Sequence, residues 1–130
     1  MFLGTYQTVF SGLNRVILPK KFRVELTEGK VILTRGLDGC IWGFEKKGWE
    51  EQAQKQLAIP LTEKQGRDLR RYIFSEAEVA ELDRQGRFVI PTRLLSFAGI
   101  KDVVILVGAG DHFEIWDEKK WSEETRNFNQ

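Results

Sequence analysis

The sequence is poor in the residues that build disulfides and metal sites. It contains one cysteine, Cys40, and one histidine, His112, among 130 residues. A lone cysteine cannot form an internal disulfide or a thiolate metal cluster, which argues against a disulfide-stabilised secreted scaffold. Cys40 stands in an apolar stretch and is interpreted as a small core residue. His112 has no second ligand near it in the sequence and is interpreted as structural rather than metal-binding.

Long hydrophobic runs are missing as well. No apolar segment approaches the roughly twenty residues that a membrane-spanning helix needs. Residues 1–6 have neither a basic region nor an apolar core, so we expect no signal peptide. These features predict a cytoplasmic protein without a membrane partner.

The motifs of common enzymes are also lacking. The sequence has no glycine-rich phosphate-binding motif ahead of a helix and no cluster of metal ligands. The adjacent carboxylates of Asp117 and Glu118 are better explained as favourable charges at a helix N-terminus. We therefore expect no enzyme activity, no cofactor and no small-molecule substrate.

What the chain does have is an uneven distribution of charge. Its 20 Lys and Arg residues nearly balance 19 Asp and Glu residues, which leaves a net charge of only +1. Residues 14–23 and 84–93 nevertheless carry only basic charges, whereas residues 111–124 carry six acidic residues against two lysines. Basic charge gathered at two short stretches is typical of a protein that binds a polyanion.

The two basic stretches belong to an internal repeat. Arg15 and Arg87 are 72 residues apart, and the same offset relates further positions over residues 10–51, such as Val31 and Val103, without a gap. We predict two repeats, about 5–51 and about 77–123, joined by a helical linker over about 52–76. Each repeat is too short for a core of its own, so we expect one domain over residues 1–130 with a shared core.

Local patterns predict the same order of elements in each repeat. Strand-forming residues lead into a turn and a return strand, which makes each basic motif the tip of a hairpin. Asn14 and Gly86 occupy the same repeat position, and both residue types tolerate positive φ, so a tight turn is expected there. A pattern typical of a capping box at Thr62 predicts the linker helix, which reaches about Phe74. The remaining elements are expected as strands at 5–10, 76–82, 15–18, 87–90, 31–33, 103–107, 40–44 and 112–116 and as helices at 20–26, 92–98, 46–57 and 117–127.

In these features the chain resembles the MraZ family of bacterial transcription factors. The resemblance rests on the start at residues 1–4, the paired Arg-x-x-x-Pro motifs, residues 83–87, and residues 107–108 leading into 113–117. It implies an α+β fold, a pseudo-two-fold duplicated swapped-hairpin AbrB-like β-barrel with flanking helices. It also implies ring-like homo-oligomers and binding to repeated promoter elements through two Asp-x-x-x-Arg hairpins. The family further implies repression of its own division and cell-wall gene cluster, and hence a nucleoid-associated protein.

The candidate DNA-binding residues lie in and behind the two motifs. Guanidinium stays charged and offers a planar fork of donors that fits guanine or phosphate, and a two-stranded ribbon can enter the major groove. The resemblance implies Asp83 as an orienting residue for its arginine. Ser11 replaces the acid of the first motif, so the first tip is expected either to bind differently or to bind more strongly. The residues expected to meet DNA are Arg15, Arg87, Asn14, Arg84, Lys20, Lys21 and Arg93.

Other interpretations remain open at the level of sequence. Arg15 and Arg87 are equally well explained as partners of nearby acids in ordinary surface pairs. From another class, the protein is interpreted as a ring-forming scaffold whose basic tips bind an acidic protein surface. A third alternative is an AbrB-like antitoxin, which usually carries a toxin-binding tail, whereas the sequence ends soon after Trp121.

Overall fold

The computed structural model describes residues 1–128 as an α+β fold with eight strands and five helices. The strands are β1 (Thr5–Val9), β2 (Arg15–Ile17), β3 (Lys30–Arg35), β4 (Ile41–Phe44), β5 (Glu78–Glu81), β6 (Arg87–Val89), β7 (Val103–Gly108) and β8 (Phe113–Asp117). The helices are α1 (Lys20–Arg23), α2 (Lys46–Leu57), α3 (Lys64–Phe74), α4 (Thr92–Ala98) and α5 (Glu118–Thr125), and a single 3-10 turn follows over Arg126–Phe128. In the part of the chain described, no helix has both the length and the apolar character to cross a membrane.

Six strands form one antiparallel sheet in the order β1-β7-β8-β4-β3-β5. The strand β1 pairs with β7 of the other half of the chain, and β5 pairs with β3 in the same crossed fashion. The expected barrel is not formed, because β1 and β5 remain as open edges of the sheet within residues 1–128. A second sheet contains only β2 and β6, and we call it the ribbon.

The strand pairing in the ribbon differs from the prediction that each basic motif is the tip of a hairpin. The return strand β2 does not pair with β1; it pairs antiparallel with β6, so that Val16 lies opposite Phe88. Both residues are essentially fully buried, at 0% and 1% exposure. Two short strands that each bury one residue gain a common hydrogen-bonded ladder by lying side by side over the core.

The main core lies on one face of the large sheet. There the inward side chains of the ribbon and the helices α1 and α4 contribute Val16, Phe88, Phe22 and Leu94, which belong to one cluster with residues of β3, β4, β7 and β8. Smaller aromatic clusters occupy the opposite face, around Trp116 and between Phe44, Trp49 and Phe74. Because both faces of the central strands are covered, β3 and β7 consist of nearly continuous apolar residues.

The strands β3 and β7, each the third strand in its repeat, do not keep the 72-residue offset. Thr8 and Ala80 are 72 residues apart, but their sheet partners are Val104 and Val31, which are 73 apart. Val104 rather than Val103 therefore takes the place that corresponds to Val31, and both side chains are fully buried. The shift is required because a slip of one residue would turn the core side chains of a strand to the other face.

The linker helix begins differently from the prediction. Its N-cap is Glu63, which makes no side-chain capping hydrogen bond, so the capping box at Thr62 was wrong. The backbone amide of Arg67 donates to the carbonyl oxygen of Glu63 at 3.1 Å, and Arg67 Nη1 donates to the carbonyl oxygen of Leu61 at 2.8 Å. The helix α2 matches the expected 46–57, whereas α1 ends at Arg23, earlier than the expected residue 26.

Candidate nucleic-acid interface

The outer face of the ribbon carries both candidate arginines. In β2 and in β6 the middle residue points into the core and the flanking residues point out. Arg15 lies opposite Val89, and Arg87 lies opposite Ile17. The two arginines are therefore diagonal neighbours on one face, a relation that puts Cβ atoms roughly 7–8 Å apart. The sequence predicted two separate tips, but the structure brings these residues together on one surface, with the two turns at opposite ends.

The second turn, residues 83–86, is organised by the carboxylate of Asp83. Its Oδ1 accepts hydrogen bonds from the backbone amides of Gln85 and Arg87, each at 2.9 Å. Its Oδ2 accepts from Arg87 Nε at 2.9 Å, and the backbone amide of Asp83 donates to the carbonyl oxygen of Arg87 at 2.8 Å. One side chain thus fixes both the turn and the direction of the guanidinium.

These bonds stabilise the ionised form of the carboxylate. The pKa of Asp83 lies below its usual value, chiefly because the backbone amide of Arg87 donates to it, with further help from the Arg87 side chain and the amide of Gln85. Arg87 Nε is engaged, while its terminal nitrogens have no partner among residues 1–128. The exposed edge of the fork consequently stays free to donate to another molecule.

The first turn, residues 11–14, keeps the backbone geometry without the acid. Ser11 N donates to the carbonyl oxygen of Arg15 at 2.8 Å, matching the bond of Asp83 with Arg87. Asn14 has φ of 58° and Gly86 has φ of 79°, so the predicted positive φ is confirmed at both positions. The side chain of Arg15 has no hydrogen-bond or ion-pair partner within the described residues. Asn14 is less available, since its Nδ2 donates to Thr92 Oγ1 at 2.8 Å.

The remaining basic candidates fall into two groups. Lys20, Lys21 and Arg84 are exposed. None of their side chains has a hydrogen-bond or ion-pair partner within residues 1–128. Arg93 instead lies 2.6 Å from Glu76 and 3.4 Å from Glu78, so its charge is already compensated. The hydrogen bond that Arg93 Nε donates to Glu76 also raises the pKa of Arg93.

Sequence reasoning missed two residues of this surface, and it placed a third, Arg23, behind the tip as a phosphate contact. Arg23 packs against Gly86, and its Nη1 donates to the carbonyl oxygen of Gln85 at 3.3 Å, which steadies the second turn. Ile17 and Val89 stand between the arginines and are 44% and 48% exposed. The alternation within each three-residue strand is the signal that would have assigned them to the outer face.

Cys40 and His112 lie away from the ribbon. Cys40 is fully buried, as predicted, and burial raises the pKa of its thiol. His112 Nδ1 lies 2.7 Å from Asp111 Oδ1, and the imidazole stacks on Phe44. Burial lowers the pKa of His112, but the neighbouring carboxylates of Glu114 and Asp111 outweigh it and raise the pKa overall. Within residues 1–128 no group of three or more acidic, histidine or cysteine side chains is arranged to hold a metal ion.

Known proteins resemble the chain over both halves and nearly its whole length. A family model described as "MraZ protein, putative antitoxin-like" matches residues 1–72 and again residues 73–130. A transcriptional regulator MraZ of Caldicellulosiruptor bescii is 42% identical over 129 residues, which are 99% of this chain and 90% of that protein. The MraZ regulator of Roseiflexus castenholzii is 41% identical over 93% of this chain and 84% of its own. That of Clostridium botulinum is 40% identical over 100% of this chain and 88% of its own. The chain therefore belongs to the MraZ family, and these relatives bear the name of transcriptional regulators.

Proposed function

We propose that this protein is a sequence-specific regulator of transcription that binds double-stranded DNA with the outer face of the ribbon. The observation that carries the proposal is the position of Arg15 and Arg87 on one exposed face. Both arginine side chains are partly exposed, and Arg15 has no acid beside it among residues 1–128. The alternative that both arginines merely form surface ion pairs with nearby acids therefore accounts for Arg87 in part, but it does not account for Arg15.

The chemistry of the face suits a duplex. A two-stranded ribbon fits the major groove of B-DNA, and an arginine fork there donates to O6 and N7 of guanine. Lys20, Lys21 and Arg84 lie at the margins of the motifs and are suited to phosphate contacts, which position a protein without reading sequence. Arg93 contributes less, because Glu76 and Glu78 already hold it. Asp83 orients Arg87, and Asn14 shapes the first turn rather than reading bases.

The architecture of the binder belongs to the same proposal. The crossed pairing of β1 with β7 and of β5 with β3 supports a duplicated swapped-hairpin fold with pseudo-two-fold symmetry. One ribbon offers few contacts, so we propose that the chain assembles into a ring-like homo-oligomer that engages repeated promoter elements. Several weak contacts then act together through effective concentration. We further propose repression of its own division and cell-wall gene cluster, without an enzymatic step, in the cytoplasm at the nucleoid.

A titration of the wild-type protein tests the proposal. Fluorescence anisotropy with the duplex upstream of its own gene is compared with a random duplex of equal length, at low and high salt. We expect preference for the promoter and a steep fall of affinity with salt, because phosphate contacts release counterions. An Arg15→Ala/Arg87→Ala protein should lose the preference while keeping its fold by circular dichroism. Equal binding of both duplexes by the wild type would refute the proposal.

The scaffold and antitoxin alternatives give different results in the same experiment. A ring-forming scaffold predicts no salt-steep affinity for DNA, whereas light scattering would still show a mass well above that of one chain. The antitoxin alternative gains support from the words "antitoxin-like" in the family description. It predicts DNA binding together with a tight complex with a second protein, which a pull-down on the purified protein would reveal.

A further inference from the structure

We propose that Ile17 and Val89 determine sequence specificity by contacting the methyl groups of thymine, a role that rests on the proposed binding of DNA. The two side chains are 44% and 48% exposed and stand on the outer face of the ribbon. Each lies directly opposite an arginine, Ile17 opposite Arg87 and Val89 opposite Arg15. The face thus alternates charged donors with aliphatic groups in both directions.

The core does not account for these aliphatic residues. The inward positions of the same strands are Val16 and Phe88, at 0% and 1% exposure, and these side chains belong to the core beneath the ribbon. Strand propensity favours isoleucine and valine, but it favours threonine as well, which has a polar group and is equally branched. Neither core packing nor propensity therefore singles out an aliphatic side chain at these two outward positions.

The major groove supplies a partner for both kinds of side chain. Thymine places a methyl group on the groove wall, while guanine presents the acceptors that arginine reads. Residues directly opposite across two antiparallel strands have Cβ atoms about 4.5–5.5 Å apart. An arginine and its aliphatic neighbour can therefore meet bases within roughly two steps of each other, given a rise of about 3.4 Å. Isoleucine and valine have few side-chain conformations to lose on binding, which favours specific contact.

The charge of the surface favours DNA over a second copy of the chain as its partner. Arg15 has no acid beside it among residues 1–128, and Lys20, Lys21 and Arg84 are exposed nearby in sequence. Two such ribbons facing each other would bring like charges together. A duplex offers phosphate at the margins and methyl groups at the centre of the groove.

Replacing thymine by uracil tests the inference, because it removes only the C5 methyl group. Wild type, Ile17→Ser/Val89→Ser and the control Leu37→Ser are titrated against the promoter duplex and against copies with one thymine replaced at a time. Leu37 is a suitable control because it is 48% exposed, as Val89 is, and lies in the turn between β3 and β4, outside the ribbon. For the wild type and for Leu37→Ser we expect a loss of about fourfold for each contacted methyl. On the thymine duplex the double variant should lose the product of the losses that the wild type shows at the contacted positions, and replacing those thymines by uracil should cost it no further affinity.

The outcomes separate this inference from the proposed function. Preferential binding of the promoter with no effect of any uracil would overturn the inference and leave DNA binding standing. The affinity of the double variant is also compared with that of the wild type on the same duplex. A loss as large on the uracil duplex as on the thymine duplex would overturn the inference too. A fall in oligomeric mass of the double variant would assign these residues to a contact between copies and refute the inference. Failure of the wild type to prefer its promoter would refute the proposed function, and the inference with it.

Discussion

The carboxylate of Asp83 should lower the affinity of the Arg87 end of the ribbon for DNA, because it repels phosphate. Replacing either arginine by alanine removes a fork whose contact with guanine is worth about 1–3 kcal/mol, or roughly 5- to 150-fold in Kd. The change Arg87→Ala has a second effect. It removes the guanidinium that lies 2.9 Å from the Asp83 carboxylate and leaves this end of the ribbon with an uncompensated negative charge.

The second effect has a magnitude that follows from Coulomb's law. Two like charges about 7 Å apart in water weaken an association by about threefold. This repulsion acts in the wild type and in Arg87→Ala alike, so removing the Asp83 charge from Arg87→Ala should raise its affinity about threefold in low salt. Since Asp83 is exposed, salt screens the repulsion, and this gain should shrink as salt is raised.

The assay is fluorescence anisotropy with the promoter duplex, with Asp83→Asn/Arg87→Ala as the control. Asparagine keeps an oxygen that can accept from the amides of Gln85 and residue 87, so the turn persists while the charge disappears. The double variant should bind DNA about threefold more tightly than Arg87→Ala in low salt, without regaining the contact with guanine. Equal affinities of Arg87→Ala and the double variant in low salt would refute the reasoning.

Three further changes test the geometry around the ribbon. Because hydrogen bonds lower the pKa of Asp83, its stabilisation should be complete above the unfolded-state pKa of about 3.9 and lost as pH falls through the lower folded-state pKa. Urea unfolding across that window should show a weaker dependence on pH in Asp83→Asn than in wild type, while the lowered pKa values of Asp68, Asp111 and Glu114 leave a remaining dependence in both. Phe88→Ala should lower the free energy of unfolding by about 3–5 kcal/mol, whereas Val89→Ala next to it should change it by at most about 0.5 kcal/mol. Gly43→Ala should lower the melting temperature in calorimetry, since a Cβ there would overlap the ring of Phe113.

Local features of the fold could be predicted from the sequence because their causes are local. The helices Lys46–Leu57 and Thr92–Ala98 have the predicted bounds, and Gly99 ends the second with φ of 64°. The positive φ of Asn14 and Gly86 followed from two residue types that tolerate it at matched positions. Backbone preference of this kind is decided within a few residues.

The partners of the strands could not be predicted in the same way. Alternation in β2 shows which side chain is buried, but it does not show whether the strand pairs with β1 or with β6. The continuous apolar run of β7 conceals the one-residue shift to Val104, because every position looks fit for the core. The candidate site could not be predicted in full for the same reason, because it depends on which strands pair. Once β2 and β6 are paired, two arginines 72 residues apart become neighbours, and Ile17 and Val89 become part of their surface.

The ribbon combines a symmetric backbone with an asymmetric charge, and this bears on the kind of site it can read. Antiparallel pairing centres on Val16 and Phe88, so the two turns are related by local two-fold symmetry. A symmetric reader matches a palindromic site. Here Asp83 holds Arg87 at one end, while Ser11 leaves Arg15 without a partner at the other. The two ends should therefore favour different bases, so each ribbon has a preferred orientation on the duplex. Several ribbons in one oligomer would then engage elements repeated in the same direction rather than inverted, and reversing one element should weaken binding.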